Sequence, residues 1–157
     1  MAAMTSCLIV DDSDVVRKVL RTIIESLDIK VIEAASVAKA AELCEIKLPN
    51  AVVLDWNIPG ENPLAFVSVL REEATSAQLK ILYVMTNQEP ADIAKAKEFG
   101  VDDVLPKPFH RVQLEAKLLG LLTPKPDVLP PVFSPERPLT RAGMPVQFPT
   151  LRKAASA

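Results

Sequence analysis

Histidine and cysteine are nearly absent from this 157-residue sequence: His110 stands alone, and Cys7 and Cys44 are the two thiols. Three such residues offer too few partners for a nitrogen- and sulfur-ligated metal site, and two thiols make no disulfide framework. Cys7 falls in an apolar run and Cys44 in a helical stretch, so both read as buried thiols in a reducing compartment, the cytoplasm. No apolar run approaches the ~20 residues that a membrane-spanning helix needs, which excludes membrane insertion. The opening residues Met1 to Asp12 contain no basic segment and reach two aspartates too soon for a signal peptide.

What is present is a hydrophobic content of 49%, enough for one domain with a proper core and something extra. Charge is unevenly spread. Residues 1–122 carry 13 basic against 18 acidic side chains, whereas residues 123–157 carry five basic against two acidic ones. That asymmetry marks a tail with a different job from the body.

The body is organised around Ala51-Val-Val-Leu-Asp55-Trp56-Asn57-Ile58-Pro59. Four apolar, largely β-branched residues predict a strand buried on both faces, and it runs directly into an acidic residue before a proline ends it. Similar runs at 6–11, 29–34, 80–85 and 102–105 predict four more strands. Helical spacing follows each one. Ser13 caps a helix reaching about residue 27, and Ser36 caps one carried through Leu48 and closed by Pro49. Further helices begin near Asn62-Pro63, near Pro90 with Gly100 as C-terminal cap, and at His110, the last running to about Leu122. Five strand–helix repeats with right-handed crossovers predict an α/β doubly wound parallel sheet.

In that topology Asp11, Asp12, Asp55, Thr86 and Lys107 all arrive at carboxyl ends of strands, the rim where open α/β sheets bind ligands. Singly, each reads as a cap or a surface residue. Together, three crowded carboxylates require a cation, and a hard divalent ion with oxygen ligands, Mg²⁺, suits them. Asp55 is then a nucleophile toward a phosphoryl group, with Lys107 and the Thr86 hydroxyl stabilising the transferred oxygens. His110, beside Phe109 at a helix start, reads as a capping or surface residue, and Trp56 as a partly exposed rim residue.

These motifs, Asp11-Asp12-Ser13, Leu54-Asp55-Trp56-Asn57-Ile58-Pro59, Thr86 and Lys107-Pro108-Phe109, resemble those of the receiver domain of bacterial two-component response regulators, in the style of single-domain CheY-like proteins. The resemblance covers about residues 6–122. It implies a flavodoxin-like (βα)5 fold in a receiver domain over residues 1–122, a non-enzymatic signalling role, and a histidine kinase as donor of phosphate to Asp55. It also implies that Asp12, Asp55 and the Asn57 backbone carbonyl ligate Mg²⁺, with Asp11 acting through water, and that Thr86 and Lys107 contact the phosphoryl group. Three positions depart from the family pattern. Val104 replaces an aromatic switch residue three positions before the lysine, Asn87 replaces a small residue after Thr86, and Pro63 stands where glycine is common.

From Thr123 onward eight of the 14 prolines occur without sustained periodicity, which predicts an extended or disordered, proline-rich C-terminal extension over 123–157. Arg137 and Arg141 carry forked guanidinium groups suited to clamping phosphates, while Val146 and Phe148 alternate in strand fashion and suit partner docking. A general nucleic-acid tail is more basic and richer in lysine, so no DNA partner is expected. Arg137-x-x-x-Arg141 resembles the arginine element by which PilZ-type receptors hold cyclic di-GMP. Arginine-containing extensions also occur in the Cle type of CheY-like proteins, which bind cyclic di-GMP and act on the flagellar motor. That resemblance implies cyclic di-GMP as ligand, and the flagellar motor switch or another signalling protein as partner. The other reading is phosphorylation of Asp55 as the input, with the tail a partner-docking peptide.

Overall fold

The computed structural model describes residues 4–123, and the expectations for Arg137, Arg141 and the rest of the extension lie outside them. Five strands alternate with five helices: β1 (Ser6–Val10), α1 (Asp14–Glu25), β2 (Lys30–Ala34), α2 (Val37–Ile46), β3 (Ala51–Asp55), α3 (Pro63–Glu73), β4 (Lys80–Met85), α4 (Pro90–Phe99), β5 (Asp103–Pro106) and α5 (Arg111–Leu122). All pairings are parallel, in the order β2-β1-β3-β4-β5. In this order the connections leave β1 and β3 in opposite directions, which opens a crevice at their carboxyl ends.

The helix starts follow the side-chain chemistry. Ser13, Ser36 and Asn62 each accept a hydrogen bond from the backbone N–H three residues on, satisfying donors that the helix cannot. Gly100 ends α4 in the left-handed region at φ 117°. Several boundaries differ from expectation by one or two residues. α1 stops at Glu25, where Ser26 caps it and the chain turns through Asp28 at φ 64°. α2 stops at Ile46 because Lys47 is already extended. β5 begins at Asp103, because the Asp102 side chain accepts from the Ile81 N–H at the sheet edge.

Two apolar layers sandwich the sheet. Val52, Leu54, Ile81, Tyr83 and Met85 face Ala40, Cys44, Phe66, Val67, Leu70 and Ala96 of α2, α3 and α4. The alternate residues Ala51, Val53, Leu82 and Val84 face Leu20, Ile23, Ile24, Leu114 and Leu118 of α1 and α5. Burial on both faces explains why the strands read as unbroken apolar runs. Each fully buried leucine or isoleucine contributes about 1.5–3 kcal/mol, so the rim stands on a stiff platform. Cys7 and Cys44 are both buried and unpaired, and burial pushes their thiols up to about 12 and about 11, so they stay protonated.

Candidate functional site

The carboxyl rim brings Asp11, Asp12, Asp55 and Lys107 together. Asp11 follows β1, and its N–H still donates to Ala34 O at 3.1 Å, extending the ladder one residue. Asp55 closes β3 opposite Val84, and the Trp56 N–H donates to Val84 O at 2.9 Å, so the strand direction persists past the carboxylate. Asp11 and Asp55 are the two buried charged residues among those described, while Asp12 is exposed. One carboxylate oxygen from each of Asp11, Asp12 and Asp55 lies within 4.8 Å of the others.

Lys107, just beyond β5, reaches back between them. Its Nζ donates to Asp55 Oδ1 at 3.3 Å and to Asp11 Oδ2 at 3.4 Å. Both distances exceed the usual charge-assisted range, so the ammonium is shared rather than clamped. Asp11 Oδ1 accepts from the Ser13 N–H at 2.8 Å, which ties the acid to the start of α1. Burial, followed by the Asp11 charge, pushes the Asp55 carboxyl above its ordinary value, and Lys107 offsets this only in part. Burial lowers the Lys107 ammonium, but Asp55 and Asp11 outweigh it and the net direction is up. One ammonium therefore faces three carboxylates. The donor set is all hard oxygen, which fits a divalent cation such as Mg²⁺.

Thr86 follows β4 at the same rim, exposed, and its Oγ1 accepts from Trp56 Nε1 at 3.2 Å. Asn57 is exposed two residues past Asp55, on a loop pinned by buried Ile58 and turned through Gly60 at φ 76°. The three family departures now have surroundings. Val104 is 8% exposed and pairs in register with Tyr83, which is 4% exposed in the same layer, so the buried ring here comes from β4. Asn87 donates to Asp92 in the first turn of α4 at 3.4 Å. Pro63 occupies the first turn of α3 behind the Asn62 cap. His110 is exposed at the N-cap of α5, where its backbone N–H donates to the Gln113 side chain at 2.9 Å, in keeping with a capping position.

Three contacts escaped the sequence reading. Arg17 Nη1 donates to the Asp11 carbonyl at 2.6 Å, bracing the turn that carries the acids. Glu61 accepts from the Val37 N–H at 2.7 Å, so the loop after Asp55 also caps α2. Trp56 holds Thr86. Each joins residues whose separation along the chain gives no periodic signal.

A parallel sheet with this acidic crevice and a lysine beyond its fifth strand defines a phosphorylation-type signalling module. Residues 7–119 match the response regulator receiver domain, and the chain belongs to that family. It is 26% identical over 115 residues to the phosphate regulon transcriptional regulatory protein PhoB of Klebsiella pneumoniae, an alignment covering 73% of this chain and 50% of that protein. It is 32% identical over 116 residues to the aerobic respiration control protein ArcA of Escherichia coli K12, covering 74% and 48%. The chain thus spans about half the length of the curated relatives it matches. Among solved structures it resembles the chemotaxis response regulator CheY4 of Vibrio cholerae, with a TM-score of 0.71, 25% identity, and coverage of 76% of this chain and 100% of that one. The fold is the flavodoxin-like CheY fold. Receiver domains are signalling domains that take phosphoryl groups from histidine kinases and bind Mg²⁺ at an acidic pocket. Among the described residues no helix is long and apolar enough to cross a membrane.

Proposed function

We propose that the chain is a phosphorylation-switched receiver in which Asp55 accepts the phosphoryl group. The observation that carries this reading is the convergence of three carboxylates within 4.8 Å, two of them touched by one lysine. A carboxylate oxygen of Asp55 attacks phosphorus, the P–N bond of the kinase phosphohistidine breaks, and the imidazole leaves with its electron pair. Asp11, Asp12, Asp55 and the Asn57 carbonyl would hold the divalent cation. When bound, the cation neutralises the crowded acids and the incoming phosphoryl oxygens. Lys107 is already between Asp11 and Asp55, and it turns to the new phosphoryl oxygens as Asp55 loses its own charge. Thr86 donates its hydroxyl hydrogen to the same group.

Acetyl phosphate with Mg²⁺ tests this directly. The intact chain should gain one acid-stable, hydroxylamine-labile phosphoryl group, and Asp55→Asn should gain none. A phosphoryl group retained in Asp55→Asn would assign the acceptor elsewhere.

A second proposal concerns residues 123–157 as a separate effector segment and rests on their arginine pattern and excess positive charge. Here Arg137 and Arg141 grip cyclic di-GMP, and the liganded chain binds the flagellar motor switch or another signalling protein. Calorimetric titration of cyclic di-GMP into the full chain should show binding that Arg137→Ala with Arg141→Ala abolishes. Unchanged affinity in the double variant removes the idea.

A further inference from the structure

The Thr86 hydroxyl has a fixed neighbour. Trp56 Nε1 donates to its Oγ1 at 3.2 Å. An indole N–H only donates, so the hydroxyl accepts there, and its own hydrogen points away from the ring. The donor is held firmly. The Trp56 backbone N–H is tied to Val84 O at 2.9 Å, and the half-buried ring packs against the core layer that contains Tyr83 and Met85. The acceptor's strand end is held as well, because Lys107 N donates to Met85 O at 3.0 Å, one residue before Thr86. A threonine has three staggered χ1 wells, and a single well-anchored donor selects among them. Accepting a hydrogen bond also makes a hydroxyl a better donor through its remaining hydrogen. Val104, buried and aliphatic, has no group to do this from β5.

We propose that Trp56 is a positioning residue for phosphoryl transfer: its indole N–H selects the Thr86 rotamer and directs the hydroxyl hydrogen to the phosphoryl group on Asp55. This inference rests on the phosphoacceptor reading of Asp55. Thr86 then has its aromatic partner on the loop after β3, not on β5.

The test is a double-mutant cycle on the full chain, reading initial rates of phosphorylation by acetyl phosphate on phosphate-affinity gels, with Mg²⁺ affinity measured by calorimetry. Trp56→Phe keeps an aromatic ring and deletes the N–H, and it should slow phosphorylation about three- to tenfold, the value of one hydrogen bond. Mg²⁺ affinity should not change. Thr86→Val deletes the hydroxyl, and the double variant should be no slower than Thr86→Val alone, because the indole acts only through that hydroxyl. Thr86→Ser, which keeps the hydroxyl, should keep its dependence on Trp56. A wild-type rate in Trp56→Phe, or losses that multiply in the double variant, would overturn the proposal while leaving Asp55 as acceptor. Failure of the unmutated chain to be phosphorylated would remove the acceptor reading and this inference with it.

Discussion

The two edges of the sheet carry comparable charged clusters with opposite characters. At the amino edge Arg71 donates to Gly100 O at 2.9 Å, Leu79 O at 2.7 Å and Asp102 Oδ2 at 2.6 Å. Asp102 in turn accepts from the Ile81 N–H and the Ser76 hydroxyl. One cation meets one anion, and the surrounding hydrogen bonds satisfy both. At the carboxyl edge one lysine touches two of three clustered carboxylates, at looser distances, and the charge does not balance. A balanced cluster holds elements in place, whereas an unbalanced one stores an affinity for something not yet bound. The difference separates architecture from function more clearly than burial does, since the ion-paired side chains of both edges are at most partly exposed.

Removing Asp55 relieves the imbalance and abolishes the chemistry, which is the largest effect expected. Burial and the Asp11 charge hold the Asp55 carboxyl above its ordinary value, so the folded chain holds this proton more tightly than the unfolded chain does. Stability from this group is greatest at acid pH and falls as pH rises through the folded value. Asp55→Asn should therefore accept no phosphoryl group yet melt higher than the unmutated chain near about pH 7 without divalent cation, the advantage shrinking toward about pH 4. Added Mg²⁺ should raise the melting temperature of the unmutated chain more than that of the variant. A lower melting temperature for Asp55→Asn at neutral pH would count against the charge-crowding account.

Making the amino edge unbalanced should do the reverse. Arg71→Met strands Asp102 and two carbonyls, and urea denaturation should show a loss of about 3 kcal/mol. The rate of phosphorylation by the folded fraction should hardly move. Gly100 probes the same edge more gently. Its φ is 117°, and a Cβ there would stand 2.6 Å from Arg71 Cγ, so Gly100→Ala combines backbone strain with displacement of the arginine. A loss of about 2 kcal/mol is expected, and a neutral result would mean that Arg71 has slack.

The smallest effect belongs to a third cluster, where Glu33 accepts from Arg17 and Arg21. Burial raises the Glu33 carboxyl, but the hydrogen bonds from Arg21 and Arg17 outweigh it and the net direction is down. Its stabilisation is present above the unfolded value and lost as pH falls through the lowered folded one. The unfolding free energy from urea titrations should fall further on acidification below about pH 4 for the unmutated chain than for Glu33→Gln, by no more than about 1 kcal/mol given partial exposure. Equal acid sensitivity would show that solvent screens the pair completely.

Local pattern along the chain dictates the layered fold and the rim. Strands buried on both faces must be written as apolar runs, and the polar residue that ends each run marks the strand's carboxyl end, which is how Asp11, Asp55 and Thr86 could be read in place. Caps were legible for the same local reason: Ser13, Ser36, Asn62 and Gly100 act within three or four residues of themselves. Family motifs then supplied roles that spacing alone left open. Tertiary structure decided what depends on distance across the fold. Arg17 on the Asp11 carbonyl, Glu61 on α2 and the Arg71 cluster join positions 6 to 31 residues apart, with no repeat to announce them. The exchange of a β5 aromatic for Tyr83 is invisible until strand register sets Tyr83 beside Val104. The grip of Trp56 on Thr86 likewise appears only when β3 and β4 end side by side. Hydrophobic pattern and capping are properties of neighbours in sequence, whereas charge balance and hydrogen-bond partnership belong to neighbours in space.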